Sequence, residues 1–152
     1  MNRKTHLTHN EDIIYVEVIE VKYRAHLTGA ILSGCGIIYL CNQIGISTNP
    51  FNIICGAAIG GLIPDIDHPN SFLGYAIQPI STFLLETVGH RTLTHSLLFS
   101  LLISIVGTMF HIMLGIGIGI GMLSHILLDL LTPNSNGVAF LYPFCKRKIK
   151  LL

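Results

Sequence analysis

From Ala25 to Cys145 the chain carries only five charged side chains: Asp65, Asp67, Glu86, Arg91 and Asp129. Over the whole chain 51% of residues are hydrophobic and 11% charged, where an ordinary soluble domain has roughly a quarter charged. Lipid is the solvent that such a stretch suits. In lipid every backbone N–H and C=O must be satisfied within the chain, and a helix does this segment by segment. The expected fold class is therefore all-α, a polytopic membrane protein with about four transmembrane helices and an additional interfacial or re-entrant helix.

The spans follow from length. Ala25 to Ile46 is free of charge and as a helix rises about 33 Å at roughly 1.5 Å per residue, enough for a hydrocarbon core of about 30 Å. Asn49, Pro50 and Asn52 signal a turn, and a short span of small and apolar residues runs from Ile53 to Ile63. Ser71 to Val88 mixes apolar residues with Gln78, Pro79 and Glu86, which suits an interfacial or re-entrant helix. Leu97 to Leu131 is almost purely apolar and at roughly 52 Å is about twice the length of one crossing. The expected break lies around His111 to Gly115, where alternating glycines with GxxxG spacing begin, a spacing that lets helices approach closely in a membrane.

Lys22 and Arg24 precede the first span and Lys146, Arg147, Lys148 and Lys150 follow the last, so the positive-inside rule places both ends in the cytoplasm. This predicts a cytoplasmic N-terminal tail (1–24), a membrane-embedded helical domain (25–145) and a basic cytoplasmic tail (146–152). The first residues carry both signs of charge and do not read as a cleavable leader. The stretch Glu11 to Arg24 is strand-prone. A net charge of +1 without a basic patch in the body argues against direct nucleic-acid binding. Cys35, Cys41, Cys55 and Cys145 form no CxxC pair and read as reduced packing residues.

With four crossings, His26 opens the first span, Asp65, Asp67 and His68 end the second, His90, Arg91 and His95 open the third, and His125 and Asp129 close the fourth. The unusual polar residues then share the cytoplasmic face. His125 and Asp129 lie four apart, on one side of a helix, as a ligand pair on one metal would. Asp65 and Asp67 alternate around Ile66 between Pro64 and Pro69, residues that discourage helix. Ionisable groups at membrane depth are costly enough to be functional by default, and a mixed His and Asp set suits zinc or another transition metal. The competing reading is an ion pair, with Arg91 neutralising Asp65 or Asp129. One arginine cannot serve three aspartates.

PDIDHP (64–69), HRTLTHS (90–96) and SHILLD (124–129), in that order between apolar spans and with a histidine opening the first, resemble the YdjM-type family of bacterial membrane-bound metal-dependent hydrolases. The resemblance covers roughly Ala25 to Phe144, including Leu131 to Pro133 and Tyr142 to Phe144. It implies an inner-membrane hydrolase whose metal ligands come from His26, Asp65, Asp67, His68, His90, His95, His125 and Asp129. Where the family pattern has glycine after the His-Arg pair, this chain has Thr92.

The expected function is a multi-pass protein of the bacterial inner membrane, with one or two divalent ions, zinc favoured. It would hydrolyse a phosphoester of a membrane lipid or lipid-linked compound through a metal-activated water. Asp67 or Asp129 would take the proton and Arg91 would hold the phosphate. The alternative is a non-catalytic membrane protein with a structural metal site or a role in metal-ion transport. A transporter wants polar groups near the bilayer midplane, whereas the middles here read IIYLC, SLLISIV and GIGIGIG.

Overall fold

The structure, a computed structural model, describes residues 8–132 and 136–151, with side chains described from Tyr23 onward. The first seven residues of the expected N-terminal tail, and Pro133 of the Leu131 to Pro133 motif, lie outside the described residues. Six α-helices follow in order: α1 (Thr8–Gln43), α2 (Pro50–Leu62), α3 (Phe72–Ala76), α4 (Gln78–Thr87), α5 (Leu97–Phe110) and α6 (Ile112–Leu130). A 3-10 turn, Ile63–Asp67, follows α2 directly. The described secondary structure is thus helical, with a single isolated β-bridge between Val138 and Ile149. The strand-prone stretch Glu11 to Arg24 is helical too, because α1 runs unbroken through it and across the boundary between tail and first span.

Local signals set these boundaries. The Asn49 side chain accepts from the backbone N–H of Asn52 and Pro50 takes the first helical position, so α2 starts there. Ser71 caps α3 by accepting from the Gly74 N–H, and Ser96 caps α5 by accepting from Phe99. His111 performs the expected break. It leaves helical geometry at φ −163°, its backbone N–H closes α5 on the Gly107 carbonyl, and its Nδ1 accepts from Met113 N–H to start α6.

Two helical stretches are long and apolar enough to cross a membrane, Tyr23–Gln43 within α1 and Ile112–Leu130. The second and third expected spans are shorter. α2 has 13 residues and α5 has 14, about 20 Å each, against a core of about 30 Å. Ser71 to Val88 forms two short helices, α3 and α4, rather than one.

Backbone proximity gives the directions. Gly34 of α1 lies opposite Ala57 of α2 while Ala30 lies opposite Gly61, so α1 and α2 are antiparallel. Gly107 of α5 approaches Gly115 of α6, and Ser104 donates to the Gly115 carbonyl at 2.7 Å, closing an antiparallel hairpin. α2 and α6 run parallel in the tightest contact of the fold: a Cβ on Gly56 would strike the Leu114 carbonyl, one on Gly60 that of Ile118, and one on Gly121 that of Ala57. Ile53, Ala57, Ile118, Met122 and Ile126 fill the core along this seam. Exposed side chains such as Leu32, Leu40, Leu101, Ile105 and Phe110 clothe the outside of α1 and α5, as lipid-facing surfaces do.

The C-terminal segment, which includes the basic stretch expected as a cytoplasmic tail, folds back on the helices. Val138 and Ile149 exchange both backbone hydrogen bonds, at 2.8 and 3.0 Å, and Leu151 N–H donates to the Leu130 carbonyl at 2.9 Å. Val138 and Ala139 are buried, while most side chains from Leu141 onward are exposed.

Candidate metal centre

These directions carry the start of α5, the ends of α2 and α6 and the adjoining part of α1 to one end of the bundle. His26 comes from α1, Asp65 from the 3-10 turn, His95 from the residue before the α5 cap, and His125 and Asp129 from the last turns of α6. His95, His125 and Asp129 are at most 1% exposed.

Two overlapping groups of these side chains can hold an ion: His26, His125 and Asp129, and Asp65, His95 and His125, the ligand atoms in each lying within 4.8 Å of one another. His95 Nε2 stands 3.0 Å from Asp129 Oδ2 and 4.0 Å from Asp65 Oδ1. His125 Nε2 stands 3.6 Å from Asp65 Oδ1 and 3.7 Å from Asp129 Oδ2. A tetrahedral zinc with bonds of about 2.1 Å has ligand-to-ligand edges of about 3.4 Å. The four contacts, 3.0 to 4.0 Å, thus bracket the spacing that neighbouring ligands of one zinc ion adopt. Nε2 of His95 and of His125 are buried without a hydrogen-bond partner, an arrangement that costs free energy unless something binds them.

The outer nitrogens explain why those atoms face inward. His125 Nδ1–H donates to the Gly61 carbonyl at 2.7 Å, which leaves Nε2 as the lone pair. His95 does the same through a relay. Thr94 gives its only hydroxyl proton to Asp67 Oδ2 at 2.6 Å, so at 3.0 Å it accepts from His95 Nδ1–H. Partners of this kind fix the tautomer and the ring orientation of metal-binding histidines.

Asp67 therefore occupies a different place from Asp65. Its Oδ1 accepts from His90 Nδ1–H at 2.6 Å and its Oδ2 from the Arg91 backbone N–H and from Thr94. Both oxygens are engaged, and the residue expected as ligand or proton acceptor holds the loop 90–95 instead. His90 and His68 lie beside the cluster, the His90 ring edge-on to both His68 and His95. His26 stacks on His125 with ring centroids 3.7 Å apart, and its Nε2 is 3.7 Å from Asp129 Oδ1. Arg91 Nη2 donates to Asp129 Oδ1 at 2.5 Å, so the ion pair weighed as the alternative exists alongside the histidine cluster. Thr94 and Ser96 in HRTLTHS read in the sequence as helix-capping residues or hydrogen-bond donors behind the ligands, and here Thr94 donates to Asp67 while Ser96 caps α5; the Gly61 carbonyl lay beyond spacing arguments.

Burial and charge oppose each other at the mouth of the site. Burial raises the Asp65 carboxyl, but the attraction of His125, then of His95 and His26, holds it down at about 2. Asp67 is also pushed up by burial, and its hydrogen bonds with His90 and His95 hold it well below the carboxylate range. Burial lowers His95, but the Asp129 and Asp67 carboxylates raise it above 6.5. Those carboxylates favour the protonated imidazole, whereas an ion needs its lone pair, so proton and ion compete for His95 and affinity must fall as pH falls. Calorimetry at pH 7 in buffers of different ionisation heat is expected to show about one proton or more released per ion. Zero release would remove His95 from the ligand set.

The family model described as YdjM inner membrane protein matches residues 26–152. The inner membrane protein YdjM of Escherichia coli strain K12 is 41% identical over 108 residues, 66% of this chain and 54% of that protein, and the Shigella flexneri protein matches equally. Protein YvsG of Bacillus subtilis strain 168 is 34% identical over 122 residues, 79% of this chain and 72% of its own length. The chain spans about half the length of the two YdjM proteins it matches. No solved structure gives a significant match.

Proposed function

We propose that this chain, which belongs to the YdjM inner membrane protein family, is a metal-dependent hydrolase whose site opens at the cytoplasmic face of the bacterial inner membrane and acts on a phosphoester of a lipid or lipid-linked compound. The observation that carries the reading is the convergence of His95 Nε2, His125 Nε2, Asp65 Oδ1 and Asp129 Oδ2 at contacts of 3.0 to 4.0 Å, brought from three elements with the outer nitrogens of both histidines already bonded. The alternating helix directions support a four-crossing arrangement with both termini cytoplasmic, α2 and α5 being its short members.

When bound, a divalent ion supplies Lewis acidity and a nucleophilic water of lowered pKa. The chain's own residues do the rest. Asp65, at 23% exposure the most open of the three carboxylates, lines the edge over which substrate approaches. Asp129 would hold the ion through Oδ2, which faces both histidines, while Arg91 fixes its Oδ1, so Asp65, the more open carboxylate, is the one placed to take the proton. Arg91 commits Nη2 to Asp129, and its side chain stays 15% exposed, so the rest of the guanidinium fork is the part that would meet a phosphate oxygen. Asp67 positions Arg91 and His95 from one layer further out.

The test is purification in detergent without chelator, elemental mass spectrometry, and hydrolysis of a chromogenic phosphodiester and of phosphatidic acid before and after chelation. About one or two equivalents of a transition metal, with hydrolysis abolished by chelator and restored by zinc, is the expected result. A native chain that folds and carries no metal sinks the reading. One observation favours a second reading, a structural ion: the chain brings four protein donors together, whereas catalytic zinc keeps a position open. That reading is distinguished by metal whose removal lowers the melting temperature while no phosphoester is turned over by the loaded protein.

A further inference from the structure

Arg91 is the one residue other than glycine, among those described, with a positive φ, at 60°. A left-handed conformation costs an arginine roughly 1–2 kcal/mol, and such a residue persists only where its surroundings over-determine it. Two of its restraints belong to the site, the N–H to Asp67 Oδ2 and the guanidinium to Asp129. The third does not. The Arg91 carbonyl accepts from Ala139 N–H at 3.0 Å, and the neighbouring His90 carbonyl accepts from Lys148 Nζ at 2.8 Å.

Both donors sit on the C-terminal segment, which is itself closed at several points. Val138 and Ala139 are fully buried, Leu97 N–H donates to the Phe140 carbonyl, Val138 and Ile149 form the β-bridge, and Leu151 ties the end to Leu130. Gly137, with φ 77°, fits only because it lacks a Cβ, which would press on the Ile149 carbonyl. A segment that served only as a basic patch for lipid headgroups would need none of these bonds. We propose that residues 137–151 are a positioning strap: Ala139 and Lys148 hold the His90–Arg91 turn in its left-handed form, and through it fix the Arg91 guanidinium on Asp129 and His95 in the cluster. Lys148 and Ala139 act through Arg91 and are positioning residues. The proposal rests on the hydrolase reading only in its second readout.

The first readout is hydrogen exchange on the whole, metal-free protein in detergent. Ile149→Pro deletes the N–H that bonds Val138 and opens the bridge. The amides of 89–96 are then expected to exchange about tenfold faster, while those of α2 and α6 keep their protection. Lys148→Met should give a smaller acceleration confined to the same segment, reversed in Lys148→Arg, which also donates to the His90 carbonyl. Unchanged exchange at 89–96 with the strap open overturns the proposal. So does a loss of protection spread through α2 and α6, which would make the segment a general part of the fold. The second readout is cobalt binding. Ile149→Pro is expected to keep the stoichiometry but shift the visible d–d bands and weaken affinity about tenfold, as loss of outer-layer partners does. Identical spectra and affinity overturn the link to the site. A native chain that binds no metal refutes the hydrolase reading, and the exchange readout then decides on the strap alone.

Discussion

His125→Ala is expected to strip the purified protein of its metal, with affinity falling by more than about 100-fold, since even partners outside the ligand set account for 10- to 100-fold. The change removes the nitrogen common to both groups able to hold an ion and leaves the Gly61 carbonyl without its donor. Asp65→Ala should lose metal comparably from a different element and with less disturbance, because Asp65 is the more open residue. Asp67→Asn should behave differently. It keeps the volume but loses the charge that orients His90, Arg91 and Thr94, so metal should remain at full stoichiometry with affinity lowered by about tenfold. Elemental analysis and competition with a chromogenic chelator measure all three. Full metal retention in both alanine variants would refute a shared site at this end of the bundle.

Gly121→Leu is expected to be the most damaging change outside the site. Its side chain would have to occupy space held by the Ala57 carbonyl and the Gly61 amide, backbone atoms inside a helix that cannot step aside as a side chain can. Overpacking of cores costs about 1–3 kcal/mol, and more where the obstacle is rigid. Thermal unfolding in detergent should show a large drop in melting temperature, together with loss of metal, because the seam also sets the Gly61 to His125 hydrogen bond. Gly36→Leu is the control. A Cβ there meets nothing within 4 Å, so stability should hold or rise slightly, leucine being the better helix former. Equal effects at the two positions would show that the glycines matter for backbone freedom rather than for close approach.

The parts legible in the sequence are those governed by local chemistry. The scarcity of charge between Ala25 and Cys145 implied helices, and an apolar run too long for one helix required a break, which falls at His111. The motifs converge because each lies at the end of a helix whose direction alternates with the next, and this follows from counting spans. Partner choice was not legible. Asp65 and Asp67 read alike in PDIDHP, but one faces the histidines and the other turns to the loop, a difference made by the 3-10 turn and by Thr94. The glycines of α6 read as a packing face without saying that α2, running parallel, fills it. The basic residues near Lys148 read simply as a tail, and the fold-back was not legible because the bonds that make it are mostly backbone ones, to which side-chain patterns are blind. The strand-prone start of α1 shows propensity yielding to helix continuity.

The glycine seam works as a gauge. Sliding one helix along its neighbour by a single residue moves it about 1.5 Å and turns the side chains by about 100°, whereas a metal site accepts errors of about 0.2 Å in its bond lengths. Backbone carbonyls lodged against glycine at Gly56, Gly60 and Gly121 leave α6 no intermediate settings along α2. The axial position of His125 and Asp129 is thus machined by contacts that begin about one turn before His125, at Gly121, and continue back along the seam to Gly56, and the tolerance of the centre is inherited from residues that have no side chain at all.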